Sequence, residues 1–570
     1  MIVPPVSAAD ISLFFTPRWH GQPIAIPSPA VMNDHGQAIR FTRLAALLSG
    51  FVLQRADGAT VRLDGQYGLI DLSAGRAGFV LGGVPPGDYT GLSYSIGLPP
   101  AVNHSDPGMW PAGHPLNPIV DHLRWDWQGG YVFLALEGRW RESAGEPGDE
   151  QGFSYHLATD ARVMPLRFIS FFTVAGPMKV SFAVDLDRIV AAQRLSVDDG
   201  SESTHSGDGD KLAPRLGAAV GRAVFWLQAE STAVETGEPG AAGPALPRTG
   251  TALAFRVPPG FPQPALPSDN PLTVEGVALG RRLFTDRRLS TGGGQSCASC
   301  HAPDHAFSDS VALSLGVAGK PGKRNGMPLF NLAWSPAYTW DGGKPRVRDQ
   351  ALSAMTGPLE MNANLPTVVA ALSRDPDVRT RFEAAFGTDE VTAVRIGLAL
   401  EQYLLTIVSA DSRFDRAARG QAVLTPEERR GFRLFVTEYD PARGRRGADC
   451  FHCHGGALFS DYEYRSNGLE MRSADPGRGG VTGQSYDVGR FKTPSLRNVA
   501  LTAPYMHDGR FATLDDVVAH YDHGVRRGPN LDPNLAKHPA VGMHLSGADQ
   551  SALVAFLRTL TDESLAERFR

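Results

Sequence analysis

The chain has 570 residues and a formal net charge of -5, with 42% hydrophobic and 20% charged residues. Single hydrophobic cores stop growing at about 250–300 residues, so we expect two or three domains. The composition is that of a globular protein, and its charge gives no reason to expect nucleic acid as a partner. No apolar run reaches the roughly 18–20 residues that a membrane-spanning helix needs, so we predict no membrane span.

Residues 1–236 have the pattern of an all-β domain. Short apolar or alternating runs recur at 131–140, 167–174 and 179–186, with Gly and Pro turns between them. We therefore predict a β-sandwich or barrel. Residues 237–266 are rich in Gly, Ala and Pro, which predicts a linker between domains.

The remainder of the chain has a mainly α-helical pattern. Thr425 followed by Pro426 and Glu428 predicts a capped helix start, Thr513 with Asp516 predicts another, and residues 546–560 read as an amphipathic helix. We expect two helical lobes, at 267–425 and 426–570.

All four cysteines of the chain lie in two Cys-x-x-Cys-His motifs, which leaves none for a disulfide. Paired Cys-x-x-Cys motifs also occur in zinc sites, but a histidine directly after both second cysteines favours covalent haem attachment. The predicted attachment residues and proximal iron ligands are Cys297, Cys300 and His301 for the first haem, and Cys450, Cys453 and His454 for the second.

Covalent haem attachment normally implies export, so we expect a periplasmic protein whose leader peptide has been removed from this chain. The opposite face of each iron decides the chemistry. A second strong ligand gives an electron-transfer haem, whereas an open face lets peroxide or oxygen bind.

From about residue 267 to the end, the chain resembles bacterial di-haem cytochrome c peroxidases and the related MauG proteins. The resemblance is carried, in this order, by Leu279-Gly280-Arg281-Arg282-Leu283-Phe284, the motif ending at His301, Thr339-Trp340-Asp341-Gly342, Gly357-Pro358-Leu359-Glu360-Met361, Thr493-Pro494-Ser495-Leu496-Arg497-Asn498-Val499 and Ala503-Pro504-Tyr505-Met506-His507-Asp508-Gly509.

The resemblance implies roles for several residues of this half. Trp340 would relay electrons between the haems, and Glu360 would be the distal acid or base. A core aromatic and a surface charge are the alternatives for these two residues. Residues 308–325 contain no histidine where peroxidases of this family often carry a distal one, which favours an open first haem, and His305 is too close to the motif to substitute easily.

The resemblance also implies a calcium ion and a sixth ligand for the second haem. Asn325 and backbone carbonyls near Thr493 would hold calcium, which prefers oxygen ligands. Tyr521 is the predicted distal ligand of the second iron, with Met506 and His520 as alternatives. A tyrosine there is typical of MauG-like proteins, which oxidise protein side chains.

The β-rich half is similar to the MbnP and CorA-like copper-binding family. The similarity is carried by Val84-Pro85-Pro86-Gly87-Asp88-Tyr89, His114-Pro115-Leu116-Asn117-Pro118 and Trp125-Asp126-Trp127-Gln128-Gly129-Gly130-Tyr131. In that family a MauG-like partner, MbnH, is implied to oxidise a tryptophan to kynurenine, which then helps to bind copper.

Histidines of the β-rich half are candidate copper ligands, because imidazole suits copper. We predict a pair of His104 and His156, with His114 and His205 as further candidates. Each of these histidines could equally be a surface or structural residue. The tryptophan to be oxidised should lie near the copper ligands, so Trp110 is the first candidate, with Trp127 and Trp125 as alternatives.

These observations suggest a function for the whole chain. Hydrogen peroxide would raise the two haems to a high-valent state shared through Trp340, and that state would oxidise a tryptophan of the chain's own β domain, within one chain or between two. The alternatives are a cytochrome c peroxidase that takes electrons from an external cytochrome, and a non-enzymatic protein that binds copper or carries electrons.

Overall fold

We describe the chain from a computed structural model. The structure describes residues 8–125, 129–142, 150–207, 209–231 and 250–569. It divides into two compact units. The first unit contains residues 1–238, 439–446 and 526–540, and the second contains residues 239–438, 447–525 and 541–570.

The strands are, in chain order, β1 (Ala9–Trp19), β2 (Gln22–Pro23), β3 (Val31–Met32), β4 (Gln37–Arg55), β5 (Thr60–Arg62), β6 (Gly68–Asp71), β7 (Gly78–Val84), β8 (Gly87–Ile96), β9 (Arg124–Trp125), β10 (Gly130–Glu142), β11 (Gln151–Ala158), β12 (Met164–Val174), β13 (Met178–Asp185), β14 (Ser203–Thr204), β15 (Val224–Ser231), β16 (Tyr439–Asp440), β17 (Arg445–Arg446), β18 (Tyr464–Arg465) and β19 (Phe491–Lys492).

The α-helices are α1 (Pro100–Asn103), α2 (Pro118–Asp121), α3 (Asp187–Val190), α4 (Leu212–Ala223), α5 (Val274–Phe284), α6 (Val347–Thr356), α7 (Leu365–Ser373), α8 (Pro376–Phe386), α9 (Ala393–Leu405), α10 (Arg413–Ala418), α11 (Pro426–Phe435), α12 (Gly479–Thr482), α13 (Leu514–Ala519), α14 (Pro533–Ala536), α15 (Gly547–Arg558) and α16 (Leu565–Phe569). A π-helical turn, His520–Gly524, directly follows α13.

The first unit is built on two β-sheets. One has the strand order β15-β13-β1-β2 with β7 also on β1, and the other has the order β12-β8-β4-β10-β11-β14 with four short strands attached. Alternate residues of β1 are buried, because successive strand residues point to opposite faces. Phe15 on β1 and Tyr94 on β8 meet edge to face at 6.3 Å, so the two sheets share one aromatic core. The predicted all-β domain is confirmed, and of the two predicted architectures, sandwich or barrel, it has the sandwich.

The second unit is mainly helical and contains one repeated helix pair. In the first pair α5 packs on α9, and in the second α11 packs on α15. Both α5 and α11 carry the sequence Gly-x-Arg-Leu-Phe, and its glycine lies at the contact in each case. A Cβ atom would lie 2.0 Å from the Ala399 carbonyl oxygen at Gly280 and 1.9 Å from the Ala552 carbonyl oxygen at Gly431, so only glycine permits this approach. In each pair, one Cys-x-x-Cys-His motif lies between the two helices in the sequence.

The predicted helix starts are confirmed. Thr425 and Glu428 form a capping box at α11, Thr513 and Asp516 form one at α13, and Ser546 caps α15. None of the helices in the described part of the chain combines the length and apolar character needed to cross a membrane.

The division of the chain differs from a simple cut at the predicted linker. Residues 439–446 and 526–540 lie in the second predicted haem lobe but belong to the first compact unit. Within the described part of the predicted linker, Phe261 is buried against Trp334, whose indole nitrogen donates to the Pro262 carbonyl at 2.7 Å. Residues 250–266 therefore pack on the second unit, because the aromatic residues among the prolines outweigh the linker-like composition.

Candidate functional site

The first haem motif lies in a tight turn that places its histidine for iron binding. Cys297 opens a 3-10 turn, and the backbone nitrogens of Cys300 and His301 both donate to its carbonyl oxygen. Nδ1 of His301 is 2.9 Å from the Phe307 carbonyl oxygen, and burial lowers the pKa of the ring. A neutral imidazole that donates through Nδ1 presents its Nε2 lone pair to a metal.

The second motif repeats this arrangement. Cys450 opens the turn, and Nδ1 of His454 is 3.2 Å from the Phe459 carbonyl oxygen. Phe307 and Phe459 both have a positive φ, of 59° and 50°, which is an unfavourable conformation for a bulky residue. Strain of this kind persists where the surroundings impose it, here to turn a carbonyl towards the histidine.

The donor sets fit two covalent c-type haems. Burial raises the pKa of Cys297 and of Cys450 to about 12, so both are neutral thiols that no disulfide ties up. Each motif thus offers two thiols for thioether links, from Cys297 and Cys300 or from Cys450 and Cys453, and one neutral imidazole for iron.

Glu360 lies beside the first motif. Its charge contributes to the raised pKa of the Cys300 thiol, after burial and Asp309, and desolvation by the surrounding protein raises the pKa of Glu360 itself. The Glu360 carbonyl oxygen accepts from the Val317 nitrogen at 2.9 Å. The histidine-free segment 308–325 therefore packs directly on the Glu360 turn, and His305 is exposed.

Gly316 makes that packing possible. A Cβ atom at this position would lie 2.3 Å from the Leu359 carbonyl oxygen and 2.8 Å from that of Glu360. Only a residue without a side chain lets the two backbone segments approach so closely.

Trp340 is buried in the second unit and is held at both ends. Its indole nitrogen donates to the Asn325 carbonyl oxygen at 2.8 Å, and its own carbonyl oxygen accepts from the Lys492 nitrogen at 2.7 Å. The structure therefore brings together Trp340, Asn325 and the chain next to Thr493, which were separate motifs in the sequence.

The surroundings of Asn325 and Thr493, the predicted calcium ligands, give little support for a calcium site. Asn325 donates its amide to the Val311 and Ala312 carbonyls, and the Thr493 carbonyl accepts from the Ser460 hydroxyl at 2.7 Å. Neither residue supplies negative charge, and buried Lys492 adjoins Thr493 with its pKa lowered to about 7 by desolvation. The calcium site stays a prediction.

The three candidate distal ligands of the second haem surround one asparagine. Asn467 Nδ2 is 3.4 Å from the Tyr521 hydroxyl and 3.3 Å from the Met506 sulfur, and the Asn467 carbonyl oxygen is 3.0 Å from His520 Nε2. His520 is buried, and its Nε2 atom is engaged by that backbone carbonyl. Tyr521 belongs to the π-helical turn, a local geometry that is frequent at functional sites.

A histidine cluster with an adjoining tryptophan lies in the first unit. Ligand nitrogens of His156 and His205 are within 4.8 Å of each other. Trp125 packs against both rings, with centroid distances of 5.1 Å to His156 and 5.4 Å to His205. Strand pairing creates the cluster, because β14 runs parallel to β11 with Ser154 opposite Ser203 and Tyr155 opposite Thr204, so that His205 follows beside His156.

The cluster has the chemistry of a copper site. Burial lowers the pKa of His156 to about 4, so its imidazole is neutral at neutral pH. His156 Nε2 is 2.9 Å from Glu137 Oε1, which is the carboxylate-to-imidazole contact that orients metal-binding histidines. Glu137 was not predicted from the sequence, although a charged residue inside the apolar run of β10 could have indicated it.

The other predicted copper ligands lie in different surroundings. His104 is exposed, with Nδ1 at the Gly129 carbonyl and Nε2 3.0 Å from Asp160. Both of its nitrogens are thus engaged away from His156. His114 stacks on Trp110 at 4.6 Å.

The candidate tryptophans Trp110 and Trp125 lie beside different histidines. Trp110 packs with His114 and Tyr67, and its buried indole nitrogen has no hydrogen-bond acceptor among the residues that the structure describes. Trp125 lies in the histidine cluster. Trp127 lies outside the described residues.

Two thiol-histidine turns in a helical unit define a two-haem c-type protein. The model of the family "Di-haem cytochrome c peroxidase" matches residues 274–423, and the model of the MbnP family matches residues 8–206. The chain is 37% identical to methylamine utilization protein MauG of Methylorubrum extorquens over 316 residues, which are 55% of this chain and 84% of MauG. It is 32% identical to cytochrome c551 peroxidase of Nitrosomonas europaea over 299 residues, 51% of this chain and 82% of that protein.

One solved structure gives the same assignment. A MauG-like protein associated with microbial copper homeostasis is similar with a TM-score of 0.51 and 34% identity, covering 56% of this chain and 99% of that one. The chain therefore belongs to the di-haem cytochrome c peroxidase and MauG family, and it carries an MbnP domain ahead of its haem half.

Proposed function

We propose that this oxidoreductase uses hydrogen peroxide to oxidise Trp125 of its own MbnP domain to kynurenine, and that the product completes a copper site at His156 and His205. The observation that carries the proposal is the packing of the Trp125 ring against both imidazoles. Export to the periplasm is part of the proposal, because covalent haem attachment normally takes place outside the cytoplasm.

The choice of tryptophan follows from the ligands. A modified side chain that helps to hold copper must lie beside the histidines that hold it. Trp125 meets this condition at the buried pair of His156 and His205, whereas Trp110 adjoins His114 alone among the candidate ligands. We therefore prefer Trp125, the sequence-based alternative, over Trp110.

Residues of the haem half have distinct tasks in this reaction. The haems, when bound at His301 and His454, supply the oxidising power on reaction with peroxide. Glu360 takes a proton from the bound peroxide and returns it to the departing oxygen, and its raised pKa suits an acid as well as a base. Trp340 loses an electron while keeping its indole proton, because the Asn325 carbonyl oxygen is too weak a base to remove it.

The oxidation balances with two molecules of peroxide for each tryptophan. The bond between Cγ and Cδ1 of the indole breaks, both carbons gain oxygen, and two molecules of water form. Hydrolysis then releases Cδ1 as formate. The side chain undergoes a net gain of one oxygen and a loss of one carbon.

Mass spectrometry of the haem-loaded protein before and after peroxide tests this proposal. We expect the kynurenine mass change in the peptide that contains Trp125, and its absence in Trp125→Phe. Trp110→Phe is the matched control, which should still be modified at Trp125. Modification confined to Trp110 would refute the choice of residue, and an unmodified MbnP domain after peroxide turnover would refute self-oxidation.

The second candidate function is a cytochrome c peroxidase that reduces peroxide with electrons from an external cytochrome. Met506 supports this candidate, because its sulfur lies 3.3 Å from the same Asn467 amide nitrogen that is 3.4 Å from the Tyr521 hydroxyl, so the methionine is as well placed as the tyrosine to be the distal ligand. Sustained peroxide reduction with a reduced cytochrome c, without change in the MbnP domain, would establish this function. Two low-spin haems that do not respond to peroxide would refute both enzymatic functions.

A further inference from the structure

A short helix that follows the second haem motif in the sequence, α14, lies against the strand that carries His156. α14 belongs to the first compact unit and packs on β11. The approach is close, because a Cβ atom at Gly152 would lie 1.9 Å from the Pro533 carbonyl oxygen. Asp532 caps α14 by accepting from the Asn534 nitrogen at 2.9 Å, which fixes the first turn of the helix.

The chain before α14 is also anchored. Arg139 on β10 is buried and donates to the carbonyl oxygens of Gly528 at 2.9 Å and Pro529 at 2.6 Å. Arg527 donates to the Gln151 side chain at 2.9 Å. The position of Asn534 relative to β11 is therefore fixed by contacts of α14 itself and of the chain that precedes it.

Asn534 reaches the histidine cluster through one serine. The Ser154 hydroxyl donates to Asn534 Oδ1 at 3.1 Å and lies 3.4 Å from both ring nitrogens of His156. All three side chains are buried, with relative exposures of 0% for Ser154, 4% for Asn534 and 3% for His156. Bulk water is thus kept from this chain of contacts.

The direction of the serine proton matters for metal binding. Glu137 Oε1 lies 2.9 Å from His156 Nε2 and also pairs with Arg43 at 3.4 Å. A carboxylate at Nε2 favours the tautomer that carries the imidazole proton on Nε2 and leaves the metal-binding lone pair on Nδ1. The hydroxyl of Ser154 has a single proton, which could cap that lone pair. Asn534 Oδ1 lies nearer than the ring nitrogen and accepts the proton instead.

We propose that Asn534 is a positioning residue for the copper site, which it serves by holding the Ser154 hydroxyl proton away from His156. The inference rests on the proposed copper site at His156 and His205. If so, the metal affinity of the MbnP domain depends on a residue, Asn534, that follows the second haem motif in the sequence.

The test is a Cu(I) titration of the full-length, haem-loaded protein against a chromogenic chelator. Asn534→Leu removes the acceptor and keeps the volume, and we expect it to weaken Cu(I) binding about tenfold, as loss of a supporting contact around metal ligands does. Asn534→Asp keeps an acceptor oxygen and should retain most of the affinity. The same Asn534→Leu change in a Ser154→Ala background should have no further effect.

Each result decides between distinct conclusions. An Asn534→Leu protein with wild-type Cu(I) affinity would overturn the inference. Equal weakening of Cu(I) binding by Asn534→Leu in the wild-type and Ser154→Ala backgrounds would overturn it too, since that result indicates a purely structural role. Loss of affinity in Asn534→Asp as large as in Asn534→Leu would overturn it as well. A wild-type protein that binds no Cu(I), or binds it equally after His156→Ala, would instead refute the proposed copper site on which the inference rests.

Discussion

Replacing Gly316 with alanine should disable peroxide chemistry at the first haem without touching a charged or haem-linked residue. The new Cβ atom would lie 2.3 Å from the Leu359 carbonyl oxygen, and real Cβ contacts essentially never fall below 3.0 Å. The turn that carries Glu360 must therefore retreat by about 0.7 Å or more. Since a misplacement of about 1 Å can cost 100-fold in rate, we expect the second-order rate of reaction with peroxide to fall about 100-fold.

Stopped-flow absorption of the haem-loaded protein mixed with peroxide measures that rate. Gly322→Ala is the matched control, because its Cβ atom would meet its nearest neighbour, the Ser314 carbonyl oxygen, at an ordinary 3.6 Å. Both variants should carry two haems, since neither change touches a thiol or a proximal histidine. A Gly316→Ala protein that reacts at the wild-type rate would refute the placement of Glu360 as the distal acid or base.

Three further predictions concern single side chains. The rate of reaction with peroxide should rise with pH through the raised pKa of Glu360, because its carboxylate is the base. Glu360→Gln should flatten this pH–rate profile and lower the rate by about 10²–10⁴-fold. A pH–rate profile that the substitution leaves unchanged would contradict this prediction. Tyr521→Phe should change the absorption and electron paramagnetic resonance spectra of the second haem and Met506→Leu should not, whereas the reverse would assign the ligand to Met506. Burial raises the pKa of Asp121 from 3.8 to about 8, so the folded protein keeps this proton to a higher pH than the unfolded chain does. The free energy of unfolding should therefore fall as the pH rises between these two values. Asp121→Asn should remove this pH dependence, which urea unfolding at several pH values measures.

The two haem attachment sites could be predicted from the sequence because the residues that form each site are close together in the chain. Two thiols and a histidine within five residues specify an attachment site whatever the surrounding fold, and His301 and His454 lie in equivalent turns. The family motifs also nominated Trp340 and Glu360 as candidate residues, and their roles stay predictions. The motifs do not reveal which residues hold these side chains in place, such as Asn325, whose carbonyl oxygen accepts from the Trp340 indole.

The cluster of His156 and His205, where we propose copper, could be predicted only in part because it depends on strand register. His156 was a candidate from the start, but the sequence does not reveal that β14 pairs with β11 so that His205 follows beside it. His104 was paired with His156 on the basis of motifs, and only the fold shows that Asp160 and Gly129 engage its ring. The preference for Trp110 over Trp125 had the same origin.

Segments 439–446 and 526–540 illustrate a further limit. Nothing in their composition separates them from the helical half, and hydrophobic periodicity cannot reveal which of two cores a short loop joins. The contribution of Asn534 to the histidine cluster was therefore outside the reach of sequence reasoning.

The repeated Gly-x-Arg-Leu-Phe helix and the paired strained phenylalanines, Phe307 and Phe459, have an evolutionary consequence. The two haem lobes keep the signature of an ancestral duplication on the side that attaches the cofactor and fixes the proximal histidine. Functional divergence after duplication was thus free to act on the distal residues, which we propose to be Glu360 for the first haem and Tyr521 or Met506 for the second. Swapping distal segments between the copies is the natural route to redesign the reactivity of either haem while its attachment stays intact.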